Sequence, residues 1–285
     1  MRRLVLALLL LCGALPVHAL EITDDRGVAV VLDGPPQRIV SLLPSLSETV
    51  CGLGQCRRLV GVDRYSSYPD ALKQLPQVGS GMEPNIEAIV ALKPDVVLMA
   101  VASRVSARLE SLGLKVVALD TETYADVQRV TQTVGALLGV DDAPRVWQAI
   151  ELGVADAARS LPPQVRGLRV YDEVGRLYAA GESSFIGETL KRLGVQNIVP
   201  ASLGPFPKLN PEYVVKADPD LIIVSRNDAP DMMQRPGWSG IRAVREHRIC
   251  ALSPAQTDIV IRPGPRLPEG ARILADCIAG KGLSQ

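Results

Sequence analysis

The chain carries a second, altered copy of part of itself. Asn85-Ile-Glu-Ala-Ile-Val-Ala-Leu-Lys-Pro-Asp-Val-Val-Leu98 aligns without a gap on Asn210-Pro-Glu-Tyr-Val-Val-Lys-Ala-Asp-Pro-Asp-Leu-Ile-Ile223, 125 residues further on. A shorter echo matches Ser47-Glu-Thr-Val-Cys-Gly-Leu-Gly54 with Gly187-Glu-Thr-Leu-Lys-Arg-Leu-Gly194. Two copies of so long a unit exclude a solenoid, which stacks many short ones. What remains is a pair of related lobes.

The pattern inside each copy sets the fold class. In the first, Arg38-Ile-Val-Ser-Leu-Leu43 reads as a short buried strand. A helix capped by Ser45 or Ser47 runs to Leu53, and Leu59-Val-Gly-Val62 is a second strand. Asn85 opens a helix to Leu92, Val96 to Ala100 is a strand, Ser103 to Leu112 a helix, and Val116 to Leu119 a strand. Strands alternating with helices predict an α/β fold with mostly parallel sheets. A long helical stretch from Ala143 to Leu161, ended by Pro162-Pro163, falls between the copies and predicts a strut of roughly 28 Å. The expected organisation is a first lobe at 20–140, a connecting helix at 141–162 and a second lobe at 163–285.

Residues 1–19 read as a cleavable secretory signal peptide. Arg2-Arg3 is followed by the apolar run Leu4 to Leu11 and by Val17-His18-Ala19, an acceptable cleavage site. Cys12 raises a lipid anchor as the minor alternative, but Leu11 stands where a lipobox needs a small residue. The mature chain keeps four cysteines and one histidine, His247. One histidine rules out a multi-histidine metal site, and no metal site is expected. In an oxidising compartment the cysteines suggest bridges, with Cys51 to Cys56 and Cys250 to Cys277 preferred among three pairings; the alternative is free buried thiols. Equal numbers of basic and acidic residues, 31 each, argue against nucleic acid as a partner.

Catalytic motifs fail one after another. Gly52-Leu-Gly54 runs into Arg57 where a dinucleotide loop needs glycine, and Gly181-Glu-Ser183-Ser-Phe185 has Phe in place of the last glycine of a nucleophile elbow. No catalytic residue is assigned, and the chain is read as a binding protein. Open α/β sheets bind ligands at loops leaving the strand ends. Aromatic residues make up only 4% of the chain, yet Tyr65, Tyr68, Tyr178, Phe185 and Phe206 all fall in such loops. The grouping suits a pocket for a bulky organic ligand. Glu87 and Glu212 hold the same place in the repeat, two residues after an asparagine. They are either plain first-turn acids or a pair of exposed carboxylates that meets two equivalent basic pockets on a symmetric partner.

The segments Arg38-Ile-Val-Ser-Leu-Leu-Pro-Ser45, Val60-Gly-Val-Asp-Arg-Tyr-Ser-Ser-Tyr-Pro69 and Asn85-Ile-Glu-Ala-Ile-Val-Ala-Leu-Lys-Pro-Asp95 resemble the helical-backbone substrate-binding proteins of ABC importers. Members take up vitamin B12, haem or ferric siderophores. The resemblance runs from about Arg38 to Cys277. It implies two lobes bridged by one helix, a ligand in the cleft between them, and Glu87 and Glu212 docked on a dimeric permease. Tyr65 matches a cleft tyrosine of the cobalamin-binding members; Tyr178 and Phe206 stand where those have a phenylalanine and a tryptophan. Asp258 and Arg262 fall at polar positions facing the corrin. Cobalamin binders have a stacking tryptophan where this chain has Gly81, and haem binders an iron-ligating tyrosine where it has Ser80.

Taken together, a periplasmic, monomeric protein is expected, delivering cobalamin or a related corrinoid to an ABC importer with no cofactor of its own. A ferric siderophore or haem is the alternative ligand. A tetrapyrrole- or metal-handling enzyme on a similar scaffold is the remote alternative.

Overall fold

The structure, a computed structural model, describes residues 19–281. The signal peptide read from the sequence lies outside these residues, save Ala19.

The first half contains the strands β1 (Leu20–Thr23), β2 (Ala29–Leu32), β3 (Ile39–Ser41), β4 (Leu59–Val62), β5 (Val96–Met99) and β6 (Val116–Ala118). Its helices are α1 (Pro44–Gly52), α2 (Ile86–Ala91), α3 (Ser106–Ser111) and α4 (Tyr124–Leu138). Helix α5 (Ala143–Arg159) follows. The second half has β7 (Arg169–Gly175), β8 (Tyr178–Ala179), β9 (Gln196–Asn197), β10 (Leu221–Ser225) and β11 (Ile249–Leu252). Its helices are α6 (Phe185–Arg192), α7 (Pro211–Ala217), α8 (Ala229–Met233), α9 (Arg242–Arg245), α10 (Pro254–Val260) and α11 (Leu267–Ile278).

Each half builds its own sheet. The first is wholly parallel in the order β4-β3-β5-β6. The second runs β11-β10-β7-β8 with β9 beside β7, and only β8 is antiparallel. The central strand β5 and the first four residues of β10 are runs of Val, Leu, Ile and Met, buried on both faces as helix-covered parallel strands must be.

The repeat has a physical basis in both lobes. Asn85 caps α2 by accepting the N–H of Ala88, and Asn210 caps α7 by accepting that of Glu212. Eight residues after each asparagine the chain turns through the left-handed region, at Lys93 (φ 47°) and Asp218 (φ 44°). Beyond the proline, Asp95 accepts the N–H groups of Gln37 and Arg38 at 2.7 and 2.8 Å, and Asp220 that of Arg169 at 2.9 Å. The K-P-D and D-P-D triplets thus pin the start of the first strand in each sheet.

Two helix starts differ from the sequence reading. Helix α1 begins at Pro44, whose missing N–H suits the first turn, so Ser45 and Ser47 lie inside it rather than capping it. Helix α3 begins at Ser106 rather than Ser103, whose hydroxyl donates instead to the carbonyl of Gly81 at 2.7 Å. The β1–β2 hairpin was not read from the sequence. Its inward residues Ile22, Val30 and Leu32 are buried, and Asp24 fastens it to the sheet edge by accepting the N–H of Ala118.

Helix α5 spans 17 residues and is more than a strut. Its buried stripe, Ala143, Val146, Ile150, Val154 and Ala157, recurs at helical spacing and packs against α4 on one side and α6 and α11 on the other. One apolar core therefore runs through α1, α4, α5, α6 and α11, while the outer face of each sheet has a core of its own. Among the polar groups buried in the second lobe, a carboxylate stands out. Asp172 on β7 is 2% exposed, and its Oδ2 has no hydrogen-bond partner.

The structure pairs Cys51 with Cys56 and Cys250 with Cys277, closing loops of 5 and 27 residues. By loop-closure entropy the longer bridge is worth roughly 3.5 kcal/mol and the shorter roughly 2. Denaturant titration of Cys250→Ala/Cys277→Ala should therefore show the larger loss. Equal losses from the two double variants would contradict that ranking.

Candidate functional site

Two adjoining cavities open at the C-terminal ends of the first sheet's strands, where loops of both lobes meet. One, about 440 Å³, is lined by Leu43, Pro44 and Tyr65 on the first lobe and by Asp258, Ile261 and Arg262 on the second. The other, about 490 Å³, shares Leu43, Pro44 and Tyr65 and extends over Asp63, Arg64 and the Ser80–Glu83 loop. A larger hollow of about 590 Å³ beside Pro35, Pro36 and Asp95 lies at the N-terminal ends of the strands. Ligands in open α/β sheets collect at the opposite ends, so the adjoining pair is the candidate site.

Tyr65 is shared by both cavities and is 58% exposed. Its backbone is fixed on both sides. The N–H donates to Asp63 Oδ1 at 2.7 Å, and the carbonyl accepts from Arg262 at 2.9 Å. Asp63 itself is buried, and burial pushes its carboxyl above the ordinary aspartate value despite hydrogen bonds from Ser66 and the Tyr65 N–H. From Ser66 a hydroxyl chain runs to Ser47 at 3.0 Å and on to Ser41 at 2.9 Å, tying the loop to α1 and β3.

Of the other residues singled out from sequence, the structure brings some to the cleft and leaves others aside. Ser80 and Gly81 line the second cavity, but the Ser80 hydroxyl is occupied in accepting the N–H of Glu83. A Cβ on Gly81 would stand 2.6 Å from the carbonyl oxygen of Leu42, so this position excludes any side chain. Asp258 and Arg262 line the first cavity as an ion pair at 2.7 Å. Tyr68 lies under the guanidinium of Arg266, 4.2 Å from the ring centroid. Tyr178 is exposed, with Lys208 at 5.8 Å from its ring, and lines neither cavity. Phe206 also lines neither; its ring sits 5.9 Å from that of Phe185. Phe185 is only 3% exposed and belongs to the core, correcting its placement among cleft aromatics. Its position at the start of α6 buries the ring beneath the helix.

Sequence reasoning missed Glu48 and Arg266. The buried Glu48 on α1 accepts from Arg262 at 3.2 Å and from Arg266 at 2.7 and 2.8 Å, joining the lobes. Burial, the largest single influence, lowers the Arg266 pKa, but hydrogen bonding to Glu48 together with the charges of Glu48, Glu269 and Tyr68 outweighs it and the net shift is upward. The signal was present: Glu48 and Glu188 are paired in the shorter repeat, and two arginines flank Pro263-Gly-Pro265.

Glu87 and Glu212 are exposed in the first turns of α2 and α7, and among the described residues neither enters an ion pair. No cluster of three or more His, Cys, Asp or Glu suited to a metal occurs among the described residues, and no helix there is long and apolar enough to cross a membrane.

Comparison with known proteins gives a consistent picture. A family model described as periplasmic binding protein matches residues 39–255. A cobalamin-binding protein of Halobacterium salinarum is 30% identical over 259 residues, covering 86% of this chain and 70% of that protein. An uncharacterized ABC transporter substrate-binding lipoprotein of Bacillus subtilis is 29% identical over 276 residues, 92% and 86% of the two chains. The solved structure of a periplasmic heme binding protein from Pseudomonas aeruginosa superposes with a TM-score of 0.71 at 28% identity, covering 87% of this chain and 94% of that one.

Proposed function

This chain belongs to the periplasmic binding protein family, and on that premise we propose that it binds cobalamin or a related corrinoid in the interlobe cleft and hands it to an ABC importer. The observation that carries the reading is the pair of adjoining cavities of about 440 and 490 Å³, walled mainly by apolar groups around the exposed Tyr65. The two together give room for a bulky organic ligand held by its faces and edges. The cobalamin-binding relative supports the choice of ligand. The protein acts in the periplasm as a monomer and performs no chemistry on its cargo. Glu87 and Glu212 are its contacts with the permease.

A ferric siderophore or haem is the second reading. It is favoured by Arg64, an exposed guanidinium on the cleft wall that makes no ion pair among the described residues and would suit an anionic chelate.

Titration calorimetry of the mature protein with cyanocobalamin, haemin and a ferric siderophore separates the two. One-to-one binding of cobalamin, tighter than the others, is the expected result; a preference for either iron chelate would replace the corrinoid assignment. Tyr65→Ala should weaken the preferred ligand about tenfold, the loss of one stacked aromatic face. Unchanged affinity would remove Tyr65 from the site.

A further inference from the structure

The loop from Asp63 to Tyr68 belongs to the first lobe, yet the second lobe holds it. Arg262 donates to the Tyr65 carbonyl at 2.9 Å, and Arg266 covers the Tyr68 ring at 4.2 Å. Both arginines converge on Glu48, whose side chain is 2% exposed. Their own side chains are 7% and 11% exposed. A carboxylate buried this deeply cannot lose both guanidiniums, which sit on the same lobe, without leaving its charge unpaired in a dry interior. The three groups therefore hold together or part together.

We propose that Glu48 is a positioning residue that couples lobe separation to the ligand wall. While the lobes are closed, Glu48 orients Arg262 and Arg266 so that they brace the tyrosine loop. When the lobes part, Arg262 and Arg266 leave with the second lobe, the Tyr65 carbonyl loses its donor, and the wall around the cavity loosens. Release of ligand then follows from opening itself, with no separate signal to the loop. The ligand part of this inference rests on the cleft assignment above; the coupling between loop and lobes does not.

The repeat supplies an internal control. Glu188, the counterpart of Glu48, also reaches across the lobes, but its carboxylate accepts the N–H of Tyr124 at 3.0 Å at the start of α4. Among the described residues its carboxylate makes no hydrogen bond to the tyrosine loop and no ion pair. Two similar crossings thus differ in what they brace.

The test uses ligand-free protein. Amide hydrogen exchange is read on peptides covering residues 63–68, and interlobe distances by pulsed electron resonance between spin labels at Leu112→Cys and Met233→Cys. Both positions are exposed. Glu48→Gln should speed exchange of the loop at least tenfold and broaden the interlobe distances together. Arg266→Met, which leaves Glu48 paired with Arg262, should do both to a smaller degree and serves if Glu48→Gln fails to fold. Glu188→Gln should leave loop exchange at the wild-type rate. A loop that stays protected while the lobes spread, or that loosens at unchanged interlobe distance, would overturn the coupling. With cyanocobalamin as probe, Glu48→Gln should raise the dissociation rate at least tenfold. If wild-type protein gives no binding, the cargo assignment falls while exchange and distances still decide the coupling.

Discussion

Reversing both exposed glutamates, in the variant Glu87→Arg/Glu212→Arg, is expected to abolish stimulation of the cognate importer while ligand affinity stays within twofold of wild type. The two carboxylates project from the first turns of α2 and α7, equivalent helices of the two lobes. Neither has an ionic partner among the described residues, so the fold does not depend on their charge. Reversal costs about 0.3–1 kcal/mol at each helix start. The Asn85 and Asn210 caps, which use side-chain oxygen and backbone N–H, are untouched. Against a basic pocket the same change turns an attraction into a repulsion. Close charge pairs across interfaces couple by about 1.5 kcal/mol or more, so two reversals should weaken docking at least a hundredfold. The measurements are ATPase stimulation of the reconstituted importer and calorimetry with the ligand. Unchanged stimulation would remove the docking role, and a collapse of ligand binding would place these residues at the cleft instead.

The second large effect concerns stability. Asp172 is pushed up to about 7, first by burial and then by the charge of Glu173, which is held by Arg235 at 2.6 and 2.8 Å. Its ordinary value in the unfolded chain is 3.8. Between these values the folded protein keeps a proton that the unfolded chain has released. The stability from this group is therefore full below about pH 4 and is lost as pH rises toward 7, at up to about 1.4 kcal/mol per pH unit. Asp172→Asn imitates the protonated form. In urea titrations it should gain a few kcal/mol over wild type at pH 8 and nothing at pH 4. A variant equally destabilised at both pH values would show that the carboxylate makes a needed contact in its charged form.

What could be read in advance followed from local rules. The two copies of N-x-E with their Pro-Asp endings showed in the sequence because capping, a left-handed turn and a strand pin each demand particular residue types. Helix α5 was visible from Ala143 onward, since its apolar residues recur at helical spacing. The hairpin at 20–32 was missed because its short strands are stabilised by the edge of β6, almost a hundred residues away in sequence. Glu48 escaped for a similar reason. Nothing beside it in the chain marks it as buried, and its partners lie 214 and 218 residues distant. Phe185 shows the limit of counting aromatics in loops: one residue further, at a helix start, the ring turns inward.

The narrow space at Gly81 bears on redesign of the site. An engineer wishing to strengthen binding of the proposed corrinoid would graft a tryptophan here, as the resemblance to cobalamin binders suggests. The Leu42 carbonyl, 2.6 Å from the place a Cβ would occupy, stands in the way. Moving that carbonyl would disturb Leu42, whose N–H is bonded to Leu98 on the central strand at 2.8 Å. The neighbouring Met82, 69% exposed on the same loop, carries no such obstruction and already lines the cavity. An aromatic library belongs at residue 82, with residue 81 held as glycine.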